Sequence, residues 1–148
     1  MISDNLQMRG RLTIVVTAPD GSVKDDQTVE NLVVTTGKNY VASRMAGTSA
    51  NVMSHMAIGT GSTAAAAADT TLGTESARVS LTSTTNNNND VVYVATFPAN
   101  TPASAAAITE AGLFNASSGG TMLCRTVFAQ VNKQTADALT ITWTVTAS

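Results

Sequence analysis

The residues of this 148-residue chain that could do chemistry are few and scattered. Its only histidine, His55, stands in Val52-Met-Ser-His-Met-Ala-Ile58 among apolar neighbours. A metal site needs further ligands at matching spacing, and no second His or Cys stands nearby, so a structural or surface histidine is expected. The only cysteine, Cys124 in Met122-Leu-Cys-Arg-Thr126, cannot close an internal disulfide. A catalytic thiolate requires a base, which His55 supplies only if the fold joins the two, so a buried thiol is expected. Gly59-Thr-Gly61 lacks the third glycine of a dinucleotide fingerprint and the Gly-Lys-Ser/Thr ending of a nucleotide loop. A tight turn after a strand is expected there instead. Glu110, inside Ile108-Thr-Glu-Ala-Gly-Leu-Phe114, has no partner carboxylate for general acid–base work. Its expected role is an ion pair, with Arg78 or Arg125, or a hydrogen bond to a neighbouring loop, because burying a bare carboxylate is costly. Asn86-Asn-Asn-Asn-Asp90 offers the oxygen ligands calcium takes, without the spaced carboxylates of a strong site, and reads as a solvated loop tip. No catalytic residue, cofactor-binding residue, metal ligand or cofactor is expected.

The elements around these residues are strands. Leu139-Thr-Ile-Thr-Trp-Thr-Val-Thr146 alternates large apolar residues with threonine at period two, the pattern of a strand with one buried face. Its polar face is β-branched and uncharged, which suggests contact with other protein. Leu12, Ile14 and Val16 alternate in the same way, and Ala18-Pro-Asp-Gly-Ser22 is a turn, so residues 11–27 read as a hairpin. Leu32-Val33-Val34 is too short to show its buried face. Thr35 or Thr36 is placed to cap a helix over about 37–46, with Tyr40, Val41, Arg44 and Met45 at helical spacing and Gly47 to stop it. Further strands are expected over 52–58, 76–82, 91–97, 107–114, 121–128 and 138–146. In the strand at 91–97, Tyr93, Ala95 and Phe97 share a face with Val91. Residues 60–74 read as an ordered loop, 98–106 as a loop, and Asn115–Gly120 as a hairpin turn. About eight strands and one short helix, with regular turn signals, indicate a mainly β, antiparallel β-sandwich, jelly-roll-like. The expected organisation is an N-terminal arm over 1–10 and a single domain over 11–148.

Composition removes several function classes. Only 12% of residues are charged and the net charge is −2, so no basic patch exists to hold nucleic-acid phosphates. No apolar run approaches the roughly 18–20 residues of a membrane span. Met1-Ile-Ser-Asp-Asn-Leu6 lacks the basic start and apolar stretch of a signal peptide, so folding in a cytoplasm is expected. A carbohydrate-binding module would want exposed aromatics, and the chain has one Trp, two Tyr and three Phe, with Trp143 on an apolar face. No small-molecule substrate is expected.

Several segments in order resemble a known group. Asn31-Leu-Val-Val-Thr-Thr-Gly-Lys-Asn39 leads to Met56-Ala-Ile-Gly-Thr-Gly61 and Thr71-Leu-Gly-Thr-Glu-Ser-Ala-Arg78. Ala95-Thr-Phe97, Ile108-Thr-Glu-Ala-Gly-Leu-Phe-Asn115 and Gly120-Thr-Met-Leu-Cys-Arg-Thr-Val-Phe128 follow. Over roughly residues 31–146 this resembles small tailed-phage virion structural proteins, and also the repeated module at the front of tail-collar fibre proteins. The resemblance implies a structural protein of a phage particle, made in the host bacterial cytoplasm. A capsid decoration or cement protein on the shell exterior suits it best, with the major capsid protein and its own copies, as a homotrimer, for partners. A tail or baseplate component that attaches a fibre is the alternative. The loops expected to make contact are Asn86, Asn87, Asn88, Asn89 and Asp90, and the 98–106 loop with Pro98 and Pro102, because both are long, nearly uncharged and set between strong strands.

Overall fold

The structure, a computed structural model, describes residues 4–48 and 50–148. Among them the chain forms nine strands and one helix. In chain order these are β1 (Met8–Thr17), β2 (Val23–Val33), α1 (Thr35–Met45), β3 (His55–Gly59), β4 (Glu75–Ser80), β5 (Ser83–Asn87), β6 (Asp90–Phe97), β7 (Ala106–Phe114), β8 (Met122–Lys133) and β9 (Ala138–Ala147). The fold is mainly β and antiparallel. All nine strands follow one hydrogen-bonded order, β4-β3-β7-β8-β2-β1-β9-β6-β5, and the sheet curls into a half-barrel.

Strand parity builds the core. Leu12, Ile14 and Val16 of β1 and Leu139, Ile141 and Trp143 of β9 are fully buried, while the alternate positions face outward. Tyr93, Ala95 and Phe97 of β6 join them from one half of the sheet. Met56, Ile58, Ile108, Leu113 and Phe128 meet them from the other, so the two halves share one core. Each such side chain contributes about 1.5–3 kcal/mol by leaving water.

The curl is made where β2 changes partner. Its residues 23–31 pair with β1, and Leu32 and Val33 pair with Arg125 and Cys124 of β8. At the departure point Asn31 lies opposite Gly10, and its side chain occupies the space a Cβ on residue 10 would need. From there the Asn31 Oδ1 accepts a 2.8 Å hydrogen bond from the Trp143 indole. The β1–β2 turn follows its sequence: Gly21 has φ 87°, and Asp20 Oδ1 accepts from the Ser22 N–H and hydroxyl at 2.9 and 2.6 Å.

Helix α1 closes one open end. Its N-cap is Val34, without a side-chain cap. The expected threonine cap is therefore corrected: Thr35 begins the helix, and the Thr36 hydroxyl donates instead to the Met122 carbonyl at 3.0 Å. Gly37 is the helix's buried residue, because a side chain there would strike the Leu123 carbonyl. The helix ends as expected at Gly47, φ 74°, with Gly47 N–H to Arg44 O at 3.1 Å and Thr48 N–H to Ser43 O at 3.0 Å.

Several boundaries differ from expectation, among them the start of β3 at His55 rather than Val52 and the end of β4 at Ser80 rather than Thr82. Residues 8–10 of the expected arm belong to β1 and pair with β9, and residues 1–3 lie outside the described residues. Asn86 and Asn87, expected in a loop tip, belong to strand β5; its exposed Ser, Thr and Asn side chains hide it from any apolar pattern.

Candidate functional site

Glu110 is the most elaborately held side chain of the molecule. It sits on β7, fully buried, facing the loop over residues 60–74. Its Oε1 accepts from Gly61 N–H at 2.9 Å and Thr74 N–H at 2.7 Å. Its Oε2 accepts from Gly73 N–H at 2.8 Å and from Arg125 Nη2 at 2.8 Å. Arg125, on β8, continues outward to Asp69 Oδ2 at 2.8 Å and to the Thr63 carbonyl at 3.0 Å. Burial alone pushes the Glu110 carboxyl up, but the Thr74 N–H, Arg125 and the Gly73 and Gly61 N–H groups outweigh it and hold it below its ordinary range. Burial opposes the Arg125 cation, and the bonds to Glu110 and Asp69 more than restore it.

This network makes Glu110 an anchor rather than a proton donor or acceptor, because its oxygens are committed to the backbone and to Arg125. Arg125 is thus the partner, not Arg78. Arg78 stacks over the Phe114 ring at 3.8 Å, pairs with Glu75 at 2.7 Å and donates to the Ala116 and Gly119 carbonyls. The tight-turn account of Gly59 and Gly61 is also corrected. Neither has a positive φ. A Cβ at Gly61 would lie 2.5 Å from Glu110 Oε1, and one at Gly59 would strike the Thr74 carbonyl. Their small size makes room for the carboxylate and the returning loop.

A second charged cluster, which sequence reading missed, holds the opposite end of β8. Lys133 is 1% exposed and donates to Asp137 O at 2.7 Å and Pro98 O at 3.1 Å. Asp137 Oδ2 accepts from Lys24 at 2.7 Å and from Gln134 N–H at 2.9 Å. Its signal was parity: Lys133 lies two residues beyond the buried Val131, on the same face.

Cys124 is fully buried, and burial pushes its thiol well above the usual range, away from thiolate chemistry. His55 lies instead between two hydroxyls, Ser54 Oγ at 2.8 Å from Nδ1 and Ser80 Oγ at 3.4 Å from Nε2. Among the described residues no group of three or more His, Cys, Asp or Glu side chains gathers as a metal would need. Five of the six aromatics, Trp143 included, are buried, which leaves only Tyr40 partly exposed for a sugar ring.

The two contact loops named from sequence are separated. Asn88 and Asn89 form the turn between β5 and β6, with Asn88 at φ 56°. Asn86 Nδ2 donates to Asn88 O and Asp90 O, and Asn89 Nδ2 donates to Ala147 O at 3.0 Å. Asn87 pairs with Asp90, whose carboxylate accepts from the Thr146 hydroxyl. Pro98 follows the other end of β6, eight residues away from Asp90, and Pro102 lies in the loop beyond it. At roughly 3.3 Å per residue the two loops stand about 25 Å apart and form no common patch.

The Asn-rich turn instead borders a cleft of about 310 Å³ between α1 and the β5–β6 hairpin. Val41, Tyr93, Leu123 and Val145 give it an apolar floor, and Arg44 stands at its rim. Burial pushes the Tyr93 hydroxyl up to about 12, with lesser help from Tyr40 and Cys124.

Between the two loops, the outer face of β2-β1-β9-β6-β5 carries registered rows. One row is Thr28, Thr13, Thr142, Val94 and Ser83. The next toward Pro98 is Asp26, Val15, Thr140 and Thr96. Across β1, β9 and β6 the middle of this face holds only Thr and Val. No family model, curated protein or solved structure matches the chain.

Proposed function

We propose that this chain is a structural subunit of a tailed-phage particle, a capsid decoration protein that clamps adjacent major capsid subunits by non-covalent contact. The observation that carries the reading is the outer face of β1, β9 and β6. A surface of short, β-branched, uncharged side chains desolvates cheaply and loses little side-chain entropy when covered. An ordinary solvated sheet face carries charge throughout, whereas across these three strands Arg9, Arg11 and Asp90 gather toward one side and the middle rows hold none. Many equivalent copies on a symmetric shell add avidity, so each contact need not be strong.

The resemblance noted in the sequence supports the same reading. Its most specific segments, 108–115 and 120–128, build the Glu110–Arg125 anchor and the strands on either side of it. The buried thiol and the committed carboxylate favour a structural role over an enzymatic one.

The test is the copy number per purified particle, measured by quantitative mass spectrometry against the major capsid protein. Hundreds of copies support a shell decoration protein, whereas a handful moves the chain to the tail, where attachment of a fibre becomes its work. A Thr142→Glu variant, which puts a carboxylate in the middle of the outer face, is expected to fold normally and to lose occupancy on shells. Unchanged occupancy would remove that face from the contact.

A further inference from the structure

We propose that the cleft between α1 and the β5–β6 hairpin receives the Asp4–Gln7 segment of a second copy of this chain, with Leu6 as the inserted side chain. Leu6 is 69% exposed, a large apolar residue left in water. It is not on a loose tail: Gln7 N–H donates to Ser148 O at 2.6 Å and Ser148 N–H returns to Gln7 O at 2.8 Å. That ladder holds Leu6 away from its own cleft, beside Lys38 and Val41. The cleft offers what Leu6 lacks, a floor of Val41, Tyr93, Leu123 and Val145.

The charges agree. Asp4 lies two residues before Leu6, about 7 Å along an extended segment. Among the described residues it takes part in no ion pair within its own chain. The cleft is lined by Arg44 and the side chains of Asn86, Asn88 and Asn89, with no carboxylate among them. A segment carrying one carboxylate thus meets the Arg44 cation at the cleft, while the Asn86 and Asn89 amides are already spent within the hairpin and on Ala147. Met8 and Val41 border both the Leu6 site and the cleft, so inserted side chain and receiving cleft are neighbours on one surface. Such a surface is self-complementary and closes a small symmetric oligomer. This contact does not depend on the particle reading, and its failure leaves the copy-number test untouched.

Sedimentation velocity on the full chain over a range of concentrations tests it. The expected result is a small closed oligomer whose dissociation constant rises at least tenfold in Leu6→Asp, with an unchanged circular dichroism spectrum. Asp4→Arg and Arg44→Glu should each weaken association, and the double variant should recover most of the loss by restoring the pair in reversed sense. Leu6→Ser serves as a second probe if Leu6→Asp folds poorly. A monomer at every concentration, an oligomer indifferent to both Leu6 variants, or a double variant no better than either single one would overturn the proposal.

Discussion

Two buried charge clusters hang from one strand, β8, and they are built on different terms. At Arg125 the pairing is closed: side-chain exposure is 3% for the cation and 0% for Glu110. Around it stand backbone N–H groups from the 60–74 loop, so the oxygens of the carboxylate are satisfied. At Lys133 the cation meets carbonyls, while the nearby Asp137 carboxylate turns to Lys24, whose side chain is 39% exposed. The difference shows what each cluster is for. The 60–74 loop buries only one large apolar side chain, Leu72, so polar bonds must hold it. The 98–105 and 134–137 turns are already delivered by strong strands and need only to be tied together. A fully satisfied polar network fixes one arrangement of a loop, and a partly wet one contributes less.

The largest expected effect breaks the first cluster. Arg125→Met keeps length and removes charge, leaving Glu110 buried without its counterion. Loss of one member of a buried pair costs about 3–5 kcal/mol, read from urea unfolding. Hydrogen exchange should show the 60–74 loop opening first, ahead of β7 and β8. A loss below about 1 kcal/mol would mean that the backbone N–H groups suffice and the cation is dispensable.

Much of this arrangement was legible in the sequence, and the reasons differ from part to part. The buried faces of β1, β6 and β9 follow directly from period-two alternation, since one buried side must read apolar there. Glu110 declared itself as a carboxylate inside an apolar strand, and Arg125 stood among its two named partners. The choice between Arg78 and Arg125 was not legible, because it depends on β7 pairing with β8 on one side and with β3 on the other. Strand β5 was hidden because both its faces are wet, so no alternation marks it. The cleft was hidden for another reason: α1, β6, β8 and β9 each supply part of it, and no local pattern records that meeting.

A smaller effect sharpens the comparison from the glycine side. Gly61→Ala places a Cβ 2.5 Å from Glu110 Oε1. Overpacking of this kind costs about 1–3 kcal/mol. Because the strain falls on the carboxylate, it should shrink in an Arg125→Met background, where the anchor is already loosened. A double-mutant cycle by urea unfolding reads that coupling, and strict additivity would separate Gly61 from the cluster. At the second cluster, Lys133→Met should cost only about 1 kcal/mol, the low end for orphaning buried carbonyls. Relief of a desolvated ammonium offsets part of that loss. A cost equal to that of Arg125→Met would erase the distinction between the clusters.

The smallest effects are in pH, and they separate the clusters by where on the scale each acts. Glu110 is depressed below its ordinary 4.5 despite its burial. Its contribution is therefore complete above that value and lost as the pH falls through the lower folded value. The gap in stability between the wild type and Glu110→Gln should narrow accordingly on acidification. Lys133 is depressed as well, mainly by burial, with Asp137 opposing, and its ordinary value is 10.5. Here the unfolded chain holds its proton longer than the folded one, so stability rises with pH over the window just below 10.5. Tyr93, raised from 10.0 to about 12, acts in the opposite sense beside it: the unfolded chain ionises first, and stability falls. Subtracting the Lys133→Met curve from the wild type cancels Tyr93 and leaves the lysine alone. A difference that climbs toward 10.5 places a desolvated ammonium at Lys133; a flat one would mean that its two carbonyls solvate it as well as water does, and the second cluster would be as closed as the first.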